Sequence, residues 1–193
     1  MAGHARYTAI LDACVLYPVS VADALMSMAV AGLYAPKWTT EIELEWIRNL
    51  EAARPDLVGR LDYRRDNMRD AIPDWEVPES AWRPLATGLE LPDAGDVHVL
   101  AAAIAGHADC IVTANLKDFP ADILAAHGLA AIHPDDFLIA QLDLAEITAL
   151  TAFKEMRARS KRRPYTPEEF ADILARNGLA ATAERLRDAA ALL

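Results

Sequence analysis

Residues 91–120 read LPDAGDVHVLAAAIAGHADCIVTANLKDFP, and this stretch decides the fold. Its first half, DAGDVHVLAAAIAGH (93–107), predicts an apolar helix that begins at a capping aspartate. The segment DCIVTA that follows predicts a strand buried on both faces, as in a parallel sheet. Acidic residues stand at both edges of this apolar stretch: Asp93 and Asp96 precede it, and Asp118 follows it.

The remaining segments repeat the alternation of strand and helix. Because the connections are short, this alternation predicts an α/β fold with a central parallel sheet flanked by helices. The basic helical tail that follows predicts a C-terminal extension, so we expect a domain over residues 1–140 and a helical extension over 141–193. The predicted strands are YTAIL (7–11), YAPKW (34–38), DCIVTA (109–114) and LAAIH (129–133), with helices over 21–32, 39–54, 55–72, 93–107, 122–128, 134–142, 144–163, 166–177 and 179–193.

Local signals refine three of these predictions. Thr39 or Thr40 is expected to cap the helix over 39–54, and Thr40 with Glu43 fits a capping box. Thr166 followed by Pro167 and Glu169 is a strong helix start. The proline-rich residues 73–92 are expected to form a connection with short extended pieces.

The composition excludes several classes of protein. A hydrophobic content of 53% is too high for a disordered chain, and no apolar run reaches the ~18 residues of a membrane span. We expect no membrane association, no signal peptide and a cytoplasmic location. Cys14 and Cys110 form no metal-binding spacing and are expected to be small buried thiols.

The net charge of −10 is distributed unevenly. Residues 1–150 carry a balance of −13, whereas residues 151–193 carry +3. The negative charge of residues 1–150 argues against a protein that binds nucleic acid nonspecifically over its whole surface. A local nucleic-acid site is still possible where a metal ion neutralises clustered carboxylates.

Carboxylates from separate segments are expected to meet at one edge of the sheet. Asp12 directly follows a strand, and Asp118 follows another by a short turn. Asp93 and Asp96 share the first turn of the helix that leads into that second strand. Ligands of open parallel sheets bind beyond the carboxyl ends of the strands. The helix with Glu41, Glu43 and Glu45 could supply a fourth acid.

A cluster of this kind favours a divalent cation. Like charges raise one another's pKa, and a helix N-terminus offsets only about 0.3–1 kcal/mol for each acid. Mg²⁺ prefers hard oxygen ligands and can polarise a phosphoryl oxygen. The pattern therefore predicts phosphodiester hydrolysis.

Four segments together resemble a known family. LDACVLYP, TTEIELEW, LPDAGDVHVLAAAI and IVTANLKDFP, in this order and spacing, resemble the PIN domain and, within it, the toxin nucleases of VapC type. The match covers roughly residues 6–140. The resemblance implies a three-layer α/β fold and a Mg²⁺- or Mn²⁺-dependent ribonuclease. Its metal-binding and catalytic acids would be Asp12, Glu45, Asp96 and Asp118, with Asn115 as a catalytic helper and Asp93 and Glu43 as possible accessory residues.

The same resemblance implies the biological setting. It predicts the toxin of a type II toxin–antitoxin pair, with RNA as substrate, a small antitoxin protein as partner and a homodimer as the assembly. Two alternatives are kept: a catalytically weak PIN-fold module that serves partner binding, and a DNA-directed nuclease.

A basic segment in the tail suggests where a polyanion is held. KEMRARSKRR (154–163) is the densest positive run in an acidic chain. One interpretation is a solvated helix end whose cations favour the helix dipole. The other is an RNA-binding rim, in which arginine can also stack on bases. Its RNA-binding residues would be Arg159, Lys161, Arg162 and Arg163.

Overall fold

The computed structural model describes residues 7–193, and the chain forms two compact units. Unit 1 contains the chain up to Tyr17 together with Tyr34–His133, and unit 2 contains Pro18–Leu33 together with Pro134–Leu193. Residues 1–6 lie outside the described residues. The expectation that there is no signal peptide rests partly on them. The boundary expected after residue 140 stays a prediction.

Unit 1 is built on a parallel sheet of four strands. The strands are β1 (Thr8–Leu11), β2 (Ala35–Lys37), β3 (Cys110–Val112) and β4 (Ala130–Ile132), in the spatial order β2-β1-β3-β4. Leu11 pairs with Val112, so β1 and β3 end side by side. All three residues of β3 are buried, which explains its continuous apolar run. The predicted α/β class with a central parallel sheet is confirmed.

Pro36 lies in β2, which is an edge strand. Proline lacks a backbone N–H group and cannot donate to a neighbouring strand. It is therefore tolerated in an edge strand, which has a neighbour on one side only. The expectation that Pro36 stands near an edge is therefore confirmed.

The helices of unit 1 follow the sequence with three corrections. Thr39 caps α3 (Thr40–Ala53) through a 3.1 Å hydrogen bond from the Ile42 N–H, so the capping box of Thr40 and Glu43 is wrong. The predicted helix over 55–72 is divided near Gly59, whose φ is +69°. Residues 73–92 contain a helix, α5, because an amphipathic segment with buried Trp82 overrides its prolines. The helices are α1 (Ala13–Leu16), α3 (Thr40–Ala53), α4 (Asp62–Ala71), α5 (Glu79–Ala86), α6 (Val97–Ala105) and α7 (Ala121–Ala125).

Unit 2 is helical. Thr166 and Glu169 form the predicted capping box at the start of α10, so that prediction is confirmed. Phe153 and Phe170 pack edge to face with ring centroids 6.4 Å apart. Asp135 accepts hydrogen bonds from the backbone N–H groups of Ala181 and Thr182 and so caps another helix. The helices are α2 (Val19–Val30), α8 (Pro134–Leu144), α9 (Glu146–Ala158), α10 (Pro167–Arg176) and α11 (Ala180–Asp188).

Among the helices of residues 7–193, none combines the length and the apolar character needed to cross a membrane.

Candidate active site

Three acidic residues are placed by the ends of β1 and β3 and by the entry to α6. Asp12 directly follows β1 and is the N-cap residue of α1. Asp118 lies in a 3₁₀ turn, Leu116–Asp118, shortly after β3. Asp96 ends the turn Ala94–Asp96 and is the N-cap residue of α6. Since β1 and β3 are parallel neighbours, Asp12 and Asp118 follow the same edge of the sheet.

The electrostatics of Asp96 show that these acids lie close together. Partial burial is the largest cause that raises the pKa of Asp96 to about 6, and the charges of Asp12, Asp93, Asp118 and Glu45 add to it. Each of these charges disfavours ionisation of the Asp96 carboxyl. Asp12, Glu45 and Asp118, the other three acids expected at the site, are therefore near enough to Asp96 for their charges to act on it, and so is Asp93.

Asp12 is held rigidly at this edge. Asp12 is only 3% exposed. Its Oδ2 accepts a 2.7 Å hydrogen bond from the Thr113 hydroxyl and a 3.0 Å hydrogen bond from the Cys14 thiol. The backbone N–H of Asn115 donates to Thr113 Oγ1 over 3.0 Å. These contacts connect the residues that follow β1 with those that follow β3.

Cys14 is a donor in this arrangement. Burial is the largest cause that raises the pKa of its thiol to about 12, and the neighbouring Asp12 charge adds to it. The thiol therefore stays protonated at neutral pH. It behaves as a weak hydrogen-bond donor, since a reactive cysteine requires a thiolate.

Two glutamates of α3 have different surroundings. Glu43 is 2% exposed, accepts a 2.8 Å hydrogen bond from Trp38 Nε1 and is ion-paired with Arg69. The Glu45 side chain is 31% exposed, and its Oε2 lies 3.3 Å from His98 Nε2. Glu45, not Glu43, is among the charges that act on Asp96. In this structure Glu43 is engaged in the packing of unit 1.

The remaining predicted site residues, Asp93 and Asn115, are both exposed. Asp93 is exposed, and its Oδ1 accepts a 2.8 Å hydrogen bond from the Gly95 N–H, which stabilises the turn before α6. Asn115 is exposed in the turn after β3. Lys117 Nζ lies 4.0 Å from Asp118 Oδ1, with its side chain 85% exposed.

The donor set fits a hard divalent cation. Within residues 7–193, no three His, Cys, Asp or Glu side chains stand close enough to form a ready-made metal cluster. Mg²⁺ does not require one, because it usually keeps several waters and binds through one or two carboxylates. Burial and, after it, repulsion by the neighbouring carboxylates raise the pKa of Asp96, and a cation would relieve the repulsion.

The basic segment belongs to unit 2 and is only partly free. The guanidinium group of Arg159 donates to Asp23 Oδ1 over 2.6 Å and to Ser27 Oγ over 2.7 Å. Lys161, Arg162 and Arg163 are exposed, and the Arg163 guanidinium lies 5.7 Å from the centre of the Tyr165 ring. The three consecutive cations from Lys161 to Arg163 are thus more accessible than Arg159.

Sequence reasoning missed three residues that shape the site. Thr113 and Cys14 hydrogen-bond to Asp12, and Arg69 neutralises Glu43. Thr113 carried a signal: a polar residue directly after the fully apolar CIV strand needs a partner when buried. The partner of Arg69 lies 26 positions earlier in the chain, and no local pattern connects the two.

Comparison with known proteins agrees with this architecture. Residues 8–117 match the model of the PIN domain, and residues 134–188 match that of the VapC50 C-terminal domain. A protein named Putative ribonuclease VapC50, from Mycobacterium tuberculosis (strain ATCC 25618 / H37Rv), is 46% identical over 79 residues, which are 41% of this chain and 47% of the relative. The match thus spans about half the length of that curated relative. No solved structure matches significantly. With its parallel sheet, its converging carboxylates and a PIN model matched over more than half of its length, the chain belongs to the PIN domain family.

Proposed function

We propose that the protein is a metal-dependent endoribonuclease that hydrolyses RNA phosphodiester bonds, and that it is the toxin of a type II toxin–antitoxin pair. The observation that carries the proposal is the placement of Asp12 and Asp118 after the neighbouring strands β1 and β3 and of Asp96 at the start of α6, near enough for the first two charges to act on Asp96. Membership of the PIN family and the likeness to a protein named a ribonuclease support RNA as the substrate. An antitoxin partner and a homodimer are part of the same proposal.

The proposed site residues have different roles. Asp12, Glu45, Asp96 and Asp118 would hold Mg²⁺ or Mn²⁺, directly or through water. A divalent ion supplies Lewis-acid polarisation of the phosphoryl oxygen when it is bound. Thr113 and Cys14 keep Asp12 oriented. A bound cation would favour the ionised form of Asp96, whose pKa burial and the neighbouring carboxylates raise to about 6.

Two further groups complete the proposal. Asn115, whose backbone N–H donates to the Thr113 hydroxyl oxygen, would assist the reacting phosphate. The exposed cations Lys161, Arg162 and Arg163, with Arg159, would bind the RNA backbone and offset the negative charge of the chain.

Cleavage of labelled RNA by the purified protein tests the proposal. A single-stranded RNA and a DNA of the same sequence are incubated with Mg²⁺, Mn²⁺ or EDTA. We expect metal-dependent cleavage of the RNA, loss of that cleavage in Asp96→Asn, and its retention in Asp122→Asn. Asp122 is a matched control because it is an exposed acid on α7 of the same unit. Cleavage that persists in EDTA, or cleavage of the DNA alone, would contradict the proposal.

A further inference from the structure

Two hydrogen-bond donors converge on one oxygen of Asp12. The Thr113 hydroxyl and the Cys14 thiol both donate to Oδ2, at 2.7 and 3.0 Å. Among the described contacts of Asp12, none places a side-chain donor on Oδ1. A carboxylate fixed in this way has one oxygen occupied by the protein and one left for a cation.

The direction of the thiol hydrogen bond follows from its other contacts. The Ala114 N–H donates to Cys14 Sγ over 3.2 Å, so the sulfur already accepts a hydrogen bond from the chain after β3. Thr113 Oγ1 likewise accepts from the Asn115 N–H and donates to Asp12. Cys14 Sγ lies 3.0 Å from Asp12 Oδ2 and 3.4 Å from Thr113 Oγ1, and the thiol proton goes to Oδ2 because that contact is shorter and an ionised carboxylate oxygen can only accept. Two hydrogen-bonded chains, each from a backbone N–H through a side chain, therefore end on the same carboxylate oxygen.

We propose that Cys14 is a positioning residue of the site, whose thiol, together with Thr113, fixes Asp12 so that Oδ1 is available to the divalent cation. This inference rests on the proposed function, since it assigns Asp12 to the metal. It gives the cysteine a role that packing alone would not require. In α1, the packing positions Ala13, Val15 and Leu16 are buried, whereas Cys14 is half-buried beside the acid.

The consequence is a metal affinity that depends on a donor at position 14. A partner that orients a metal-ligating carboxylate is worth about ten- to a hundredfold in metal affinity. Because a thiol is a weak donor, we expect the lower end of this range when it is removed. Cys14→Ser keeps a donor, whereas Cys14→Val has none and fills the same position with a somewhat larger apolar side chain. The two variants therefore separate orientation from packing.

Calorimetric titration of the metal-free protein with Mn²⁺ is the test, with RNA cleavage measured in parallel. Cys14→Val should bind Mn²⁺ roughly tenfold more weakly than the wild type, and Cys14→Ser should restore affinity to within a few fold. Cys110→Val is the matched control. Cys110 is a fully buried thiol of β3 in the same unit whose partner is Tyr7, so its loss should leave the Mn²⁺ affinity unchanged.

Each outcome decides between the alternatives. Equal Mn²⁺ affinities of Cys14→Val and the wild type overturn the inference, and so does equal impairment of Cys14→Val and Cys14→Ser. If Cys14→Val does not fold, Cys14→Ala replaces it in the same comparison. A wild-type protein that binds Mn²⁺ but cleaves no RNA contradicts the proposed function while leaving the role of Cys14 measurable. A wild type that binds no Mn²⁺ overturns both.

Discussion

The carboxylate of Glu43 is ion-paired with the guanidinium group of Arg69, and Trp38 Nε1 donates a further hydrogen bond to it over 2.8 Å. The Arg69 guanidinium also lies 4.6 Å from the centre of the Trp75 ring, which stacks on Trp38. Glu43 is thus part of a closed polar and aromatic cluster inside unit 1. Two residues further along α3, Glu45 is half-exposed and acts on Asp96.

This contrast predicts opposite phenotypes for two neighbouring glutamates. Glu43→Gln removes the charge that a partly buried arginine requires, so the free energy of unfolding should fall by about 1–3 kcal/mol. Glu45→Gln should leave the melting temperature close to that of the wild type but lower the rate of RNA cleavage by orders of magnitude. Thermal melts and initial cleavage rates measure the two effects. The reverse pattern would move the second metal-binding acid to Glu43.

The sequence predicted the convergence of the acids better than their hydrogen bonds. Asp12, Asp96 and Asp118 are positioned by strand ends and a helix start, and those follow from periodic apolar residues and short connections. The partners of Glu43 and Asp12 come from distant segments, so they depend on tertiary packing. Cys14 looked like a packing thiol because a cysteine donates hydrogen bonds only weakly.

The helix α5 was missed for a physical reason. Pro78 and Pro84 argue against a helix over 79–86, because proline lacks a backbone donor and restricts the residue before it. In the structure Pro78 is the N-cap residue, where no donor is needed, and Pro84 is tolerated inside a helix of only eight residues. Burial of Trp82 offsets the free energy that the prolines cost the helix. Tertiary burial of this kind is not visible in local propensity.

Asp96→Asn should stabilise the metal-free protein in a pH-dependent way. The pKa of Asp96 is about 6 in the folded protein, against 3.8 for an ordinary aspartate. Because the folded state binds this proton more tightly than the unfolded state, ionisation destabilises the fold as pH rises from about 4 to about 6. Asparagine removes that cost and suits the N-cap position that residue 96 occupies.

Melting curves in EDTA at about pH 4 and about pH 7.5 measure this effect. After allowance for solvent screening of a half-exposed group, we expect a gain on the order of 1 kcal/mol at the higher pH, about 2–4 °C. The gain should disappear near pH 4. Asp122→Asn serves as the control and should show the same small difference at both pH values. An Asp96→Asn protein with no advantage at pH 7.5 would show that burial and the neighbouring acids do not disfavour the ionised Asp96 as the structure indicates.

Mn²⁺ or Mg²⁺ should raise the melting temperature through the same acids. An ion that binds only the folded protein stabilises it by about 2.7 kcal/mol at a hundredfold excess over its dissociation constant. This rise should vanish in Asp12→Asn, which lacks the charge at the end of β1. Melting curves over a range of metal concentrations provide the measurement, with an equal ionic strength of KCl as the control. An undiminished rise in Asp12→Asn would exclude that residue as a ligand.

The basic segment of unit 2 gives the last prediction. Lys161, Arg162 and Arg163 are exposed, whereas Arg159 is bound to Asp23 and Ser27. Arg159→Gln should therefore lower the stability of unit 2 by no more than about 1 kcal/mol, as expected for an exposed ion pair.

Each phosphate contact on a single strand contributes about −0.7 to the slope of log K against log salt. Replacing the three exposed cations by glutamine should weaken RNA binding and flatten that slope by about two units, with Mn²⁺ affinity unchanged.

Titrations of a fluorescent RNA at several KCl concentrations measure this slope. The protein used is Asp96→Asn, so that the RNA is not cleaved. A variant with Arg176, Arg185 and Arg187 replaced by glutamine loses the same charge from unit 2 outside residues 154–163 and is the control. A general effect of net charge would change both variants alike, since long-range steering depends on the summed field. An unchanged slope in the segment variant would assign this segment to another partner, and docking of the antitoxin would then be the better hypothesis.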